Sequence, residues 1–411
     1  MAKTQGAKFL KKMKKTHKIW LPDMLHYHNE LLQAAFLGCG YQLEILPECR
    51  RISDYSQPYI SGDYCLPIFL ILGQMLALLQ SGDCDVAETA FMEPQTGGAC
   101  RAGNYYNSII ESLKKAGYDQ IPVISLNAFG KERHPGFFIT PRLLFGAVAA
   151  VCYGDLLMTL VQQVRPYERT KGQAEACRQK WMRFLADEIK RGKSISSRKR
   201  RERYQEMIKD FKEIPVQKKD LRKVGIAGEV YMKYSPVGNE HLEDYLQREG
   251  CDYRMGGFVN YAIYIVDSEY SKMRLQGFSK WQQEVCFRIL RYLKKLQEDL
   301  NDAVACSLAF RADACFDSLK EKASAIIDCS CNEGDGWLIA GEVADLVSQG
   351  YDHILVLHPF GCLVSHVCIR GILKKLREKF PGINIQAIEY DYDSSKTLRE
   401  SRILLGLSDF L

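Results

Sequence analysis

Two long stretches of the chain repeat one rhythm, a short apolar run followed by an amphipathic helical pattern, and this constrains the fold more than any other feature. The first extends from Lys18 to about Arg165. Lys18–Leu21 and 42–46 read as strands with a helix over 24–37 between them, then 86–92 as a strand, 107–116 as a helix and 121–126 as a strand. The second begins at 224–231, continues through a helix over 241–248 and ends in strands at 354–357 and 385–388. Alternating strands and helices bury both faces of a parallel sheet, so the expectation is α/β, with two Rossmann-like lobes. Between them, Ala174, Cys177, Trp181, Phe184, Leu185 and Ile189 recur at helical spacing and predict a connecting helix. A similar stripe, Val285, Ile289, Tyr292, Leu293 and Leu296, predicts a packed helix starting near Ser279. The division expected is an N-terminal lobe over 1–165, a helical connector over 166–220 and a C-terminal lobe over 221–411.

At 411 residues, 46% hydrophobic and 26% charged, the chain can bury two or three cores. Its longest apolar stretches, 66–79 and 143–161, are interrupted by Pro67, Gly73, Gln74, Gly146, Gly154 and Asp155, so no membrane span is expected. The lysine-rich start lacks the apolar segment of a secretory signal, which makes the cytoplasm the expected compartment. There the 15 cysteines stay reduced, pointing to metal binding or catalysis for a few and to core packing for most. The charge of +6 is concentrated in the N-terminal lysines and in the run from Lys190 to Arg203. That run suits either a solvated helix face or contact with phosphate; nucleic acid is not an expected partner.

Cys65, Cys100 and Cys362 share a context. Cys65 precedes an apolar helical segment with Pro67 in its first turn; Cys100 follows Gln95-Thr96-Gly97-Gly98-Ala99 and precedes a helix; Cys362 follows His358-Pro359-Phe360-Gly361 and precedes another. A sulfur at such a handover lies near free backbone N–H groups and the positive end of a helix dipole, an environment that favours a thiolate and an anionic metal cluster. Each cysteine taken alone reads first as a small buried hydrophobe.

Tyr64-Cys65-Leu66-Pro67, the segment Gln95 to Tyr105 and Ile121-Pro122-Val123-Ile124-Ser125-Leu126-Asn127 resemble the 2-hydroxyacyl-CoA dehydratase superfamily, especially the C-terminal region of its large activase-like proteins. The segments Gly225 to Pro236, Asn332 to Leu338, His358 to Leu363 and Glu389 to Asp393 extend the likeness over nearly the whole chain. The resemblance implies an iron-sulfur cluster, 4Fe-4S or double-cubane 8Fe-9S, held by Cys65, Cys100 and Cys362 in the cleft between lobes. It further implies a low-potential electron from a separate ATP-hydrolysing iron-sulfur activator, a small-molecule or acyl-CoA substrate, and a homodimer as one arrangement. Leu66, Ala99 and Val364-Ser365 depart from the superfamily's usual residues, and no phosphate loop of either common form is present, so ATP hydrolysis is assigned to the partner. A docking or regulatory module that keeps the lobes, and a structural zinc site, are the competing readings. Cys329 and Cys331 form a further Cys-x-Cys; His358 and His366 flank Cys362 as proton donors or as satisfied loop residues. Glu93 and Arg101 flank the Cys100 loop, and Gly225-x-x-Gly228 is an incomplete dinucleotide fingerprint.

Overall fold

The computed structural model describes residues 6–94, 100–126, 134–217, 219–392 and 395–408. Among the described residues, eight strands form two four-stranded, all-parallel sheets. The first contains β1 (Lys18–Leu21), β2 (Gln42–Ile45), β3 (Thr89–Glu93) and β4 (Val123–Ser125), in the order β2-β1-β3-β4. The second contains β5 (Arg222–Gly228), β6 (Cys251–Met255), β7 (His353–Pro359) and β8 (Asn384–Tyr390), in the order β6-β5-β7-β8. Both sheets therefore run second, first, third, fourth strand. Register is set by Lys18 against Gln42 and Thr89 in one sheet, and by Val224 against His353 in the other. The central strands β3 and β7 are buried along their whole length, as an apolar run covered on both faces requires. The fold is the expected α/β pair of Rossmann-like lobes.

Local differences from the expected elements have physical causes. The segment 86–92 opens as a 3-10 turn, Val86–Glu88, because the Asp85 carboxylate accepts the Ala87 N–H at 2.9 Å; the strand begins at Thr89. The strand expected over 224–231 stops at Gly228, whose φ of +138° lets β5 pass close to Leu357 O; Glu229 then caps the helix Val230–Tyr234. Strand β6, not anticipated, is an edge strand.

The helix Pro141–Val164 is long and apolar enough to cross a membrane, contrary to the reading that interruptions rule this out, but 72% of its apolar window is buried inside the protein. It packs against the helices Asn29–Leu37, Gln173–Lys190 and Ser197–Lys212, and against β6 of the other lobe. Its Asp155, far from breaking the element, accepts the first two backbone N–H groups of the helix Phe258–Leu275, from Phe258 at 2.8 Å and Val259 at 2.7 Å. The basic run lies largely on Ser197–Lys212, where Arg198 and Lys199 pair with Glu202, Arg203 with Glu206, and Arg201 with Asp299. Buried Arg200 donates to Ile195 O at 2.6 Å. These cations are largely committed to partners within the protein.

Candidate functional site between the lobes

Each of the three cysteines occupies the cap position of a helical turn in extended backbone. Cys65 caps Leu66–Ser81, with Pro67 in the first turn; Cys100 caps the 3-10 turn Arg101–Asn104 that leads into Tyr105–Lys115; Cys362 caps Leu363–Cys368. The first-turn Ser365 N–H points at Cys362 Sγ, 3.4 Å away. Cys100 and Cys362 hold matching places in the two lobes, after the third strands β3 and β7, where the strand order reverses and open α/β sheets bind ligands. Gly97 and Gly98 lie outside the described residues.

Three loops meet here. Leu66 N–H donates to Phe360 O at 3.1 Å, and Arg101 Nη1 donates to Gly361 O at 2.6 Å. Gly361, at φ +74°, passes so close that a Cβ would stand 2.9 Å from Tyr64 O and 3.2 Å from Cys65 Cα. Cys65 Sγ and Tyr105 Oη are 2.7 Å apart and share a hydrogen bond. Cys65 lies within electrostatic reach of Cys100, and Glu229 acts on all three thiols.

The surroundings are buried and acidic. Burial pushes the Cys65 thiol up to about 12 and raises those of Cys100 and Cys362, with Glu229 adding to each. The expected lowering by helix ends is thus overturned. A helix terminus contributes up to about 2 kcal/mol even when partly buried, and desolvation of a thiolate here outweighs it. Burial also lifts Glu229 to about 7 and Asp335 well above the carboxylate range, the neighbouring Glu229 carboxylate adding to the rise at Asp335. Asp335 Oδ1 accepts Val230 N–H at 3.2 Å, and Glu229 Oε2 accepts Met232 N–H at 2.9 Å. The nearby Lys233 ammonium is bound by Glu342 at 2.5 Å.

This donor set fits a cationic iron core in its chemistry: three thiols carried on adjoining helix-capping loops, in buried surroundings rich in acidic groups that hold their protons until a cation takes their place. Loading would release the thiol protons. Among the described residues, no three His, Cys, Asp or Glu side chains form a cage for a single metal ion. A multi-iron cluster spreads its ligands more widely than one tetrahedral zinc does.

The other singled-out residues divide. Glu93 ends β3 fully buried, its Oε2 without a hydrogen-bond partner among the described residues, and burial raises it to about 8. His358 is buried in β7 and pulled down to about 4 by burial and the Arg370 guanidinium, which donates to its Nε2 at 3.3 Å. It is neutral near pH 7. His366 Nδ1 lies 2.8 Å from Cys362 O. Cys329 Sγ faces Lys320 O at 3.8 Å, whereas Cys331 lies within electrostatic reach of Cys368. Gly225 and Gly228 serve close packing of β5, against Ile354 and Leu357. Sequence reasoning passed over Glu229, Asp335 and Tyr105, although their segments had been singled out; Asp335 between two glycines was the available signal.

Beside the Cys65-capped helix, an inter-lobe groove of about 500 Å³ is lined by Leu66, Leu70, Arg51, Glu240, Tyr390 and Arg399. A second cavity, of about 270 Å³, contains Arg165, Arg178, Glu175 and Asp244, whose charges pair with one another. No protein-family model matches this sequence, and no curated protein matches it.

Proposed function

We propose that this chain is a cytoplasmic iron-sulfur redox protein of the 2-hydroxyacyl-CoA dehydratase type, with Cys65, Cys100 and Cys362 as the protein ligands of its cluster. The observation that supports the reading is the contact among the three loops that carry these helix-capping cysteines, two from one lobe and one from the other, with Cys100 and Cys362 following the strands at which the strand order of each sheet reverses. When bound, the cluster supplies a one-electron reductant. The chain's own residues desolvate the site, and Glu229, Asp335 and Tyr105 surround it with groups that burial shifts toward their protonated forms. The electron comes from a separate ATP-hydrolysing activator, and a small molecule or acyl-CoA thioester is reduced. The groove beside Leu66 is the approach for that substrate.

Anaerobic purification should give a brown protein with about four or about eight irons per chain, and matching sulfide. Replacing any one of the three cysteines with serine should remove most of that iron while leaving the fold intact. A colourless, iron-free protein under strict anaerobiosis overturns the proposal. Zinc in place of iron would favour a structural site, and activator binding without iron or reductase activity would favour a docking module.

A further inference from the structure

Two apolar clusters face solvent, and their charged borders distinguish them. On the helix Lys280–Cys306, Val285, Ile289 and Tyr292, expected to pack, lie mostly outside with Trp281, while the bordering Glu284 and Arg288 pair with each other at 2.7 Å and favour no occupant. The second cluster lies where the helix Pro141–Val164 begins. Thr140 caps that helix by accepting Leu143 N–H at 3.2 Å, so Ile139 before the cap and Leu144 in the first turn hold the paired positions of a hydrophobic staple. Ile139 is 57% exposed and Leu144 51%, with Phe138 at 56% and Phe145 at 44% beside them in the chain. Leu37, exposed at the end of the helix Asn29–Leu37, is brought alongside: Cys39 Sγ lies 3.8 Å from Thr140 Oγ1, and a Cβ on Gly146 would stand 3.1 Å from Ala35 Cβ. Exposed apolar side chains gathered in this way mark an association surface.

Cations border this second cluster on two sides. On one side Arg142 Nη2 donates to Lys190 O at 2.9 Å, which sets the end of the helix Gln173–Lys190, with Lys190 and Lys193 exposed, against the start of Pro141–Val164. On the other, Tyr41 Oη accepts Phe138 N–H at 3.1 Å, and Lys14 Nζ stands 4.3 Å from the centre of the Tyr41 ring. Leu10 O packs on Gly136, which carries the exposed Lys11 and Lys12 to the same edge. None of Lys11, Lys12, Lys14, Arg142, Lys190 and Lys193 has an ion-pair partner among the described residues. Glu30, Glu44 and Asp187 line the groove that Leu37 and Lys190 open into, Asp187 being held by Arg191 at 3.0 Å. Unpaired cations call for an anionic occupant. Nucleic acid would leave the aliphatic Ile139 and Leu144 without use, since its bases stack on aromatic rings. An anionic phospholipid surface uses both features: the apolar tips enter the headgroup boundary while the cations meet lipid phosphates. We propose that this chain docks on anionic phospholipid membranes through Phe138, Ile139, Leu144 and Phe145, with Lys11, Lys12 and Arg142 at the border. The rest of Pro141–Val164 stays packed in the fold, so the chain lies on the bilayer and does not cross it.

Co-sedimentation of the full-length, anaerobically purified protein with lipid vesicles tests this. The expected result is binding to vesicles of phosphatidylglycerol and phosphatidylcholine in equal parts, weakened by about tenfold or more on phosphatidylcholine alone and again in high salt. Phe138→Asp combined with Ile139→Asp, and separately Lys11→Glu combined with Lys12→Glu, should each weaken binding by about tenfold or more with an unchanged melting temperature, because all four side chains are exposed. Absence of binding, equal binding to the two kinds of vesicle, or anionic binding indifferent to both double variants overturns the proposal. Retention on heparin without vesicle binding would assign the surface to a polyanionic macromolecule and overturns it as well. The readout is lipid partition, so it stands or falls separately from iron content.

Discussion

Glu93 shows how one side chain can make stability depend on pH. It is fully buried at the end of β3, and burial holds it at about 8 against an ordinary value of 4.5. Between those values the unfolded chain releases the proton that the folded chain keeps, so stability declines as pH rises through the interval and levels off above it. The ceiling is about 5 kcal/mol, at about 1.4 kcal/mol per pH unit. His358 acts in the opposite sense: its folded value of about 4 lies below the ordinary 6.5, so it favours the fold increasingly as pH rises from about 4 to 6.5. The wild-type profile therefore mixes these two with other buried acids such as Glu229 and Asp335, and only a difference isolates Glu93. Glu93→Gln should be near neutral at about pH 5 and increasingly stabilising up to about pH 8, by several degrees in Tm. Parallel melting curves for variant and wild type across that range would refute it.

Among the elements, the helix Pro141–Val164 owes its place to Asp155. This carboxylate accepts two N–H groups at the start of Phe258–Leu275 and contacts His28 Nε2 at 2.8 Å, so it joins three helices in a buried site. Gly257 permits the approach, since a Cβ there would stand 2.6 Å from Asp155 Oδ2. Asp155→Ala strands the two N–H groups and His28, and should cost about 3–5 kcal/mol in chemical denaturation, with Asp155→Asn costing less. A loss below about 1 kcal/mol for the alanine variant would mean that water replaces the carboxylate. From sequence, Asp155 read only as an interruption, because its partners lie about a hundred positions away. Strand β6 was illegible for the same reason: Asp252 accepts from Tyr167 Oη at 2.8 Å, and Arg254 binds Asp313 at 2.7 Å, so distant residues make a charged segment fit to pair. Strand β1 was legible to the residue and β2 to within one, whereas only the central apolar four of the seven residues in β7 and in β8 were legible, since their polar ends, such as His353, His358 and Asn384, carry no apolar signal.

Across the whole molecule, the two lobes share one strand order, and the candidate site is where their equivalent ends face one another. The three cysteines were legible as helix-start residues, yet the contacts that join their loops depend on Gly361, Phe360 and Arg101, which spacing does not reveal. If the cluster bridges the lobes, iron binding and lobe apposition are linked, and loading should raise Tm. Gly361→Ala tests this linkage because the added methyl would press on Tyr64 O and Cys65 Cα. Any residue other than glycine at positive φ also costs about 1 kcal/mol locally, so a control must pay that cost alone. Gly82 supplies it: its φ is +81°, and an added Cβ meets nothing within 4 Å. Both alanine variants should lose similar stability from backbone strain, but only Gly361→Ala should lose iron, by at least half, together with the iron-dependent rise in Tm. Equal iron in the two variants would show that the approach of Gly361 to Cys65 serves packing and not the cluster.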